Sequence, residues 1–527
     1  MTIDPALSQK EGNNSMPPDL DNAEGGDREM VPREAGPTDG GNEYVQQWQQ
    51  QVFDDAGQGS PAPLTGASGE EEDEQLGDTS SEQRQLTDAA DAEAMERENE
   101  ERLAFEEEVR WMEDTIEGLC AYQIKSRIGE GTFSTVYKAL DVHHDWYDNS
   151  QWTHHTPRPP RIAPNGDLVN TKVYVALKRI YVTSSPERIL NELEIIEELR
   201  ECPHISYLVT AFRTEDQVVA VMPYSKHDDF KDFYRSLPLS GIKSYFRCLF
   251  NALASTHAIN VVHRDVKPAN FLFDPRTGHG VLCDFGLAER FDPRDWKGKC
   301  HHTCPTAERP RGTVAINKET YSVHTQPGGE LARQVGTPQG SSARKGSSTP
   351  SSMGPPQKVE RVGVRENDPR QGVRANRAGT RGFRAPEVLL KCQDQTAALD
   401  VWSAGIVLLA FLTKRFPLFN ANNDTEALLE LMVVFGKSKL SRCALLHNRT
   451  WHCTVPVERP EGYRVTEFVE KLNPSILAAP EGHPDPQGYD NDIKMAMDLC
   501  RVCLHVDVTR RWTAEECLDH GFLVENE

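Results

Sequence analysis

The sequence predicts an α+β protein of two lobes, a small β-rich one followed by a larger helical one, with three inserts and a disordered acidic N-terminal tail. Three observations predict it. The region Tyr122 to Tyr224 carries short strand-like runs, among them Val175-Ala176-Leu177-Lys178 and Val218-Val219-Ala220-Val221-Met222. Beyond it the pattern turns helical: Ser244 to His257 reads as a core helix, and the segment opening Asp400-Val401-Trp402-Ser403-Ala404-Gly405 is apolar all round, as a buried post must be. Between the two lies His263-Arg264-Asp265-Val266-Lys267-Pro268-Ala269-Asn270, followed by Cys283-Asp284-Phe285-Gly286.

The 527 residues suffice for one large two-lobed domain with tails. The net charge of −23 is uneven: residues 1–120 hold 32 acidic and 7 basic residues, the remainder 49 and 51. The bulk charge therefore points to neither nucleic-acid binding nor membrane attraction by the body of the chain. Twelve cysteines without a paired framework favour a reducing compartment. The start Met1-Thr2-Ile3-Asp4 lacks the basic and apolar regions of a secretory signal, and the longest apolar run, Ile406 to Leu412, is too short to span a bilayer.

Residues 1–95 are rich in Gly, Pro, Gln, Ser and acids, too poor in apolar surface to offset chain entropy, and are expected to be disordered. An amphipathic helix is expected over 96–119, with Phe105, Val109, Met112, Ile116 and Leu119 on one face, packed on its own lobe or on a partner. The small lobe, 120–225, opens with a hairpin whose turn is Gly129-Glu130-Gly131-Thr132-Phe133-Ser134. Glycines there let backbone approach phosphates. A proline- and histidine-containing insert spans 138–172. Ser184-Ser185-Pro186-Glu187 begins a capped helix with Ile189, Leu193 and Ile196 on its buried stripe. Glu192 shares that stripe. A buried acid is costly without a cation, and Lys178 is the natural partner.

In the large lobe, 226–525, the apolar runs Phe271-Leu272-Phe273 and Val281-Leu282-Cys283 flank the turn Asp274-Pro275-Arg276-Thr277-Gly278. A β-ribbon here would bring Asn270 and Asp284 together, as a hard cation requires, with Asp265 beside them. From Asp284 to Glu387 is 103 positions, most of them an insert (291–376) of polar, basic composition. Near its start Cys300-His301-His302-Thr303-Cys304 is a candidate zinc cluster, although its spacing departs from the usual knuckle. Cys443, His447, His452 and Cys453 form a weaker second cluster within a third, loop-rich insert (416–490). Arg511 is placed to pair with Glu387.

The glycine-rich turn, the lysine strand, the His-Arg-Asp loop, Asp-Phe-Gly and Ala385-Pro386-Glu387 together resemble a eukaryotic Ser/Thr protein kinase, with Ser134 where the third glycine of that pattern stands. The resemblance implies a bilobal protein-kinase fold and transfer of the γ-phosphate of ATP to protein hydroxyls. Asp265, Lys267 and Thr380 would be catalytic, and Asn270 and Asp284 would hold Mg²⁺. The nucleotide would meet Ile128, Gly129, Gly131, Val136, Ala176, Lys178, Glu192, Met222, Leu272 and the Pro223-Tyr224 hinge backbone. Arg381 and Arg384 would face the residue after the phosphoacceptor, favouring an acid or a phosphate there.

More narrowly, the Met222-Pro223-Tyr224 hinge, Asn270-Phe271-Leu272-Phe273, the run Gly379 to Cys392 and the three inserts resemble the cell division cycle 7 kinases, the catalytic half of the DDK complex. That likeness implies a nuclear kinase activated by a regulatory subunit and acting on the MCM helicase at the start of DNA replication. The absence of Ser, Thr or Tyr from 371–379 agrees, since an activating phosphate has no site close to Thr380. A cyclin-dependent type of kinase and a non-catalytic kinase-fold scaffold are the alternatives.

Overall fold

The computed structural model describes residues 40–53, 79–131, 133–147, 172–181, 183–293, 296, 300–303, 375–449, 451 and 453–524. Two helices come first, α1 (Gly40–Phe53) and α2 (Thr79–Thr115). Helix α1 corrects the expectation of disorder through residue 95. Tyr44, Trp48 and Val52 recur every fourth residue, a stripe too short to lift the average composition of the tail. Val45, Trp48 and Val52 are buried in the core of the large lobe, Trp48 stacks on Phe419 with centroids 6.0 Å apart, and the Tyr44 hydroxyl donates to Glu430 at 2.9 Å. Helix α2 begins well before residue 96. Met112, Ile116 and Leu119 are buried against the small-lobe sheet, and Glu108 accepts from the Tyr137 hydroxyl (2.6 Å) and pairs with Arg127 (2.5 Å) and Arg179 (3.3 Å). Its apolar face is thus covered by its own lobe.

The small-lobe sheet is antiparallel: β1 (Tyr122–Glu130), β2 (Ser134–Asp141), β3 (Tyr174–Ile180), β4 (Thr210–Thr214) and β5 (Gln217–Pro223), in the order β1-β2-β3-β5-β4. Alternation puts Tyr137, Ala139, Val175, Leu177, Val219 and Val221 on the buried face. Strand β2 runs four residues into the expected insert, and residues 148–171 lie outside the described ones. Helix α3 (Pro186–Glu198) starts on Ser185, whose hydroxyl caps the Arg188 N–H, with proline in the first turn.

The large lobe is built on α4 (Phe230–Phe233), α5 (Leu239–Ala258), α6 (Pro386–Leu389), α7 (Ala398–Thr413), α8 (Asp424–Phe435), α9 (Lys437–Leu446), α10 (Val465–Leu472), α11 (Pro486–Cys503) and α12 (Ala514–Leu518). Every residue of α7 from Leu399 to Thr413 is buried. The expected third insert, 416–490, is instead largely folded: α8, α9 and α10 fall inside it and contribute Leu431, Met432, Phe435, Leu440, Phe468 and Val469 to the core. The helices are short and separated by Gly436, Pro460 and Gly462, so the period breaks before it becomes conspicuous. No described helix is long and apolar enough to cross a membrane.

Short strands link the lobe to the site: β6 (Val261–Val262) with β9 (Glu289–Arg290), and β7 (Phe271–Asp274) with β8 (His279–Leu282) in the expected ribbon. Glu387 and Arg511 form a bidentate pair at 2.6 and 3.0 Å, with side chains 2% and 0% exposed. Arg511 also donates to the carbonyls of His505 and Ala398. Arg511→Ala would strand the buried carboxylate. A loss of about 3–5 kcal/mol in unfolding free energy is expected, readable as a lower urea midpoint.

Candidate active site

The ribbon delivers its polar ends to one point. The Cys283 N–H donates to the Asn270 carbonyl at 2.9 Å, so Asn270 and Asp284 sit side by side where β7 and β8 meet the loops. The loop before β7 is pinned from below by Asp400 of α7, which accepts the backbone N–H of His263 and of Arg264, both at 2.8 Å. Asp265 is then braced from three sides. Its Oδ1 accepts the Thr380 hydroxyl (2.7 Å) and N–H (2.8 Å); its Oδ2 takes Lys267 Nζ (2.8 Å) and Asn270 Nδ2 (3.0 Å). Lys267 also donates to the Thr380 hydroxyl at 2.9 Å, closing the ring. Burial works against the Asp265 charge, but these donors outweigh it and hold the carboxyl below its ordinary pKa. An ionised carboxylate so aimed can accept the proton of an incoming hydroxyl.

Across the cleft, Lys178 Nζ donates to Glu192 (2.5 Å) and to Asp284 (2.8 Å). Burial disfavours the ammonium, yet the two carboxylates raise its pKa overall. Asp284 in turn is resisted by burial and carried down to about 2 by Lys178. A carboxyl depressed from 3.8 stabilises the fold above pH 4 and loses that contribution as pH falls towards 2, so this pair keeps its charges throughout the neutral range. Asp284 has φ +64°, and Phe285 is buried against His263, ring centroids 4.7 Å apart. Arg188 of α3, which belongs to no motif, donates to the Gly286 carbonyl at 2.7 Å and lies over the Phe133 ring at 3.9 Å. It ties α3, the glycine-rich turn and the Asp-Phe-Gly turn together.

Gly131, Phe133, Ser134, Lys178, Glu192, Asp265, Lys267, Asp284 and Thr380 line a single cleft of about 330 Å³. Its other end is marked by β-sheet register: Gly129 pairs with Val136, Val136 with Lys178, and Ala176 with Met222. Ile128 is 40% exposed on β1, and Leu272 lies on β7 opposite Val281. The hinge differs from expectation. The Tyr224 N–H is donated to the Tyr174 carbonyl at 3.3 Å, while its ring meets Tyr174 edge-on beneath Lys138. That N–H is therefore occupied, and the Pro223 and Tyr224 carbonyls are what the hinge backbone would offer a purine.

The residues present fit a magnesium-bound nucleotide. Asn270 spends its amide nitrogen on Asp265, which leaves the hard carbonyl oxygen as a ligand, and the Asp284 side chain is 48% exposed into the cleft. Magnesium held by Asn270 and Asp284 would neutralise charge on the phosphate oxygens. Lys178 would steady the phosphates, with Gly129 and Gly131 covering them.

Glu289, Gln395 and Asp424 complete this region unannounced by any motif. Arg264 pairs with Glu289 at 2.7 Å and donates to Gln395 at 2.7 Å, so a resident carboxylate neutralises it. Asp424, on α8, gathers Arg377 (2.5 Å), Arg384 (2.9 Å) and Arg381 (3.8 Å) beside Thr380. The zinc expectation needs correction. Cys300 and His302 converge, but with Cys392 and His447 rather than with their own neighbours: His301 is not in the cluster, and Cys304 lies outside the described residues. Among the described residues the weaker cluster does not come together. Cys443 and Cys453 are free thiols outside any metal-sized group of described residues, and His452 is not described.

A sheet-and-helix pair of lobes around a braced aspartate, a Lys–Glu pair and a cation-ready Asn–Asp pair defines a protein kinase. The protein kinase domain family matches residues 166–308 and 363–523. The cell cycle serine/threonine-protein kinase hsk1 of Schizosaccharomyces pombe is 40% identical over 76% of this chain and 72% of its own length. The cell cycle protein kinase spo4 of the same yeast is 35% identical over 76% and 85%. The human cell division cycle 7-related protein kinase is 27% identical over 70% and 74%. The chain belongs to the Cdc7 family of cell-cycle serine/threonine protein kinases.

Thr380→Val removes one donor and one acceptor from the ring around Asp265. Steady-state kinetics should show kcat lowered about 100-fold with KM for ATP little changed, and Thr380→Ser should restore most of the rate.

Proposed function

We propose that this kinase phosphorylates Ser or Thr followed by an acidic or already phosphorylated residue. We further propose that it works in the nucleus with a DDK-type regulatory subunit, on MCM helicase subunits at the initiation of replication. The observation that carries the substrate preference is the convergence of Arg377, Arg381 and Arg384 on one carboxylate, that of Asp424, next to Thr380. Planar guanidinium groups suit carboxylate and phosphate alike, and three of them share the single carboxylate of Asp424. A substrate acid arriving just past the phosphoacceptor would meet that excess of positive charge.

The role of a regulatory subunit is supported differently. Residues 375–379 offer no hydroxyl for an activating phosphate, and Glu289 and Gln395 already occupy Arg264. Order in this loop is then left to binding rather than to modification. Acidic tails of a replicative helicase are the substrate class that this preference and the family membership suit together. The complete set of cleft residues argues against the scaffold reading.

Peptide arrays with the position after the target Ser/Thr varied provide the test. Asp, Glu and phosphoserine there should be preferred over Lys by about 10-fold or more, and Arg384→Ala should flatten that preference while leaving the ranking at other positions intact. Equal use of acidic and basic residues by the wild-type kinase would end the substrate proposal. Full activity of the purified chain without any second subunit would end the partner proposal.

A further inference from the structure

The four residues that meet outside the catalytic cleft form a closed, soft-ligand cage. Cys300, His302, Cys392 and His447 are 7%, 3%, 0% and 0% exposed, and one ligand atom from each lies within 4.8 Å of all the others. Nothing in the phosphate-transfer site uses them. Three details distinguish the cage from ordinary packed cysteines and histidines.

The sulfurs of Cys300 and Cys392 stand 3.6 Å apart. That is far beyond a disulfide bond of about 2.05 Å. It is close to the roughly 3.8 Å separating two thiolates on a tetrahedral ion with bonds of about 2.3 Å. Next, the imidazoles are left with unused nitrogens in a dry place. His302 Nε2 lies 3.0 Å from the Asp394 carbonyl, so it carries the proton and donates, and Nδ1 is left buried with no hydrogen-bond partner. A histidine fixed through one nitrogen by a backbone carbonyl, with the other turned inward, is in the usual state of a metal ligand. His447 is fully buried, and neither of its ring nitrogens has a hydrogen-bond partner. Finally, the ligands come from three separate stretches: the first residues of the long insert, the turn after α6, and the end of α9. Packing alone would not be expected to gather two thiols and two imidazoles at one point.

We propose that Cys300, His302, Cys392 and His447 bind one structural Zn²⁺ that fastens the start of the insert to the large lobe. Four protein ligands leave no open position, which makes the site structural rather than catalytic. Two thiolates and two imidazoles in tetrahedral array favour zinc over the hard cations. The Trp296 ring stands edge-on to His302, centroids 6.2 Å apart.

The site has a route to the catalytic loop. Gln395, three residues after Cys392, donates to the carbonyls of Cys392 (2.8 Å) and Asn376 (2.7 Å) and accepts from Arg264 (2.7 Å). The turn that supplies one zinc ligand therefore also holds the arginine beside Asp265 and the segment leading to Thr380. Losing the metal should loosen both.

The full-length chain, purified without added metal or chelator, should contain about one zinc per chain by elemental analysis. Cys392→Ser and His302→Ala should each carry less than about a fifth of that, and Cys120→Ser, an exposed cysteine outside the cage, should keep it all. Cobalt exchanged into the wild-type protein should give the visible spectrum of a tetrahedral thiolate–imidazole site, absent from Cys392→Ser. Because a ligand variant can fail to fold, the wild type is also compared before and after chelation, where metal removal should lower its melting temperature and zinc alone should restore it. A folded wild-type chain without zinc that takes up neither zinc nor cobalt would overturn the proposal. So would a Cys300–Cys392 disulfide in the unreduced protein, or zinc lost equally from Cys120→Ser. None of these readouts depends on phosphate transfer, so the site stands or falls apart from the substrate and partner proposals.

Discussion

One carboxylate that never meets solvent sets the geometry on which the chemistry depends. Asp400 is 0% exposed, the one charged residue of its helix, and it accepts two backbone N–H groups from the catalytic loop, with His257 Nε2 a further 3.0 Å contact. Burying a charge there is tolerable only because its lone pairs are filled. In return the loop is held with Arg264 at φ +72°, a backbone conformation that a non-glycine residue adopts at a cost. That turn presents Asp265 to Thr380, Lys267 and Asn270 at once. The helix that looks like a mere post is therefore also the ground on which the catalytic residue is aligned.

Above this fixed floor the small lobe is attached through charge. Lys178 joins a helix acid, Glu192, to an acid of the large lobe, Asp284, and Arg188 adds a second connection to Gly286. Glu192 and Arg188 both sit on α3, so a displacement of that helix would break the Lys178–Glu192 pair and the Arg188–Gly286 contact together, leaving Lys178–Asp284 as the remaining link. A kinase built this way can be switched at α3 or at the segment before Thr380 without touching the catalytic loop itself.

What could be seen in the sequence was what is local in it. Asp265, Lys267 and Asn270 lie within six positions, and the ribbon that brings Asp284 to them is a single turn long. The Lys178–Glu192 pair could be inferred because an acid on an apolar stripe demands a cation. Remote pairings were visible only where a motif announced both partners, as with Arg511 and Glu387 or Thr380 and Asp265; the others were not. Asp424 is more than forty positions from Arg377 and looks like an ordinary surface acid at a helix start. Cys392 sits among residues with no metal-binding spacing, and the sequence groups His447 with Cys443, His452 and Cys453, so half of the zinc cage was assigned instead to the neighbours of Cys300. Helix α1 and helices α8 to α10 were missed for another reason. Their apolar stripes are brief, and burial comes from packing on the large lobe rather than from a long period.

Asp265 is the group proposed to accept the hydroxyl proton in a magnesium-dependent transfer. Its most direct test is single-turnover transfer of the γ-phosphate from MgATP to an acidic serine peptide, by the kinase together with whatever subunit copurifies with it, comparing wild type with Asp265→Asn. A rate lower by about 1,000-fold or more, at unchanged nucleotide affinity, is the result expected. Transfer by D265N within a few-fold of wild type would contradict it.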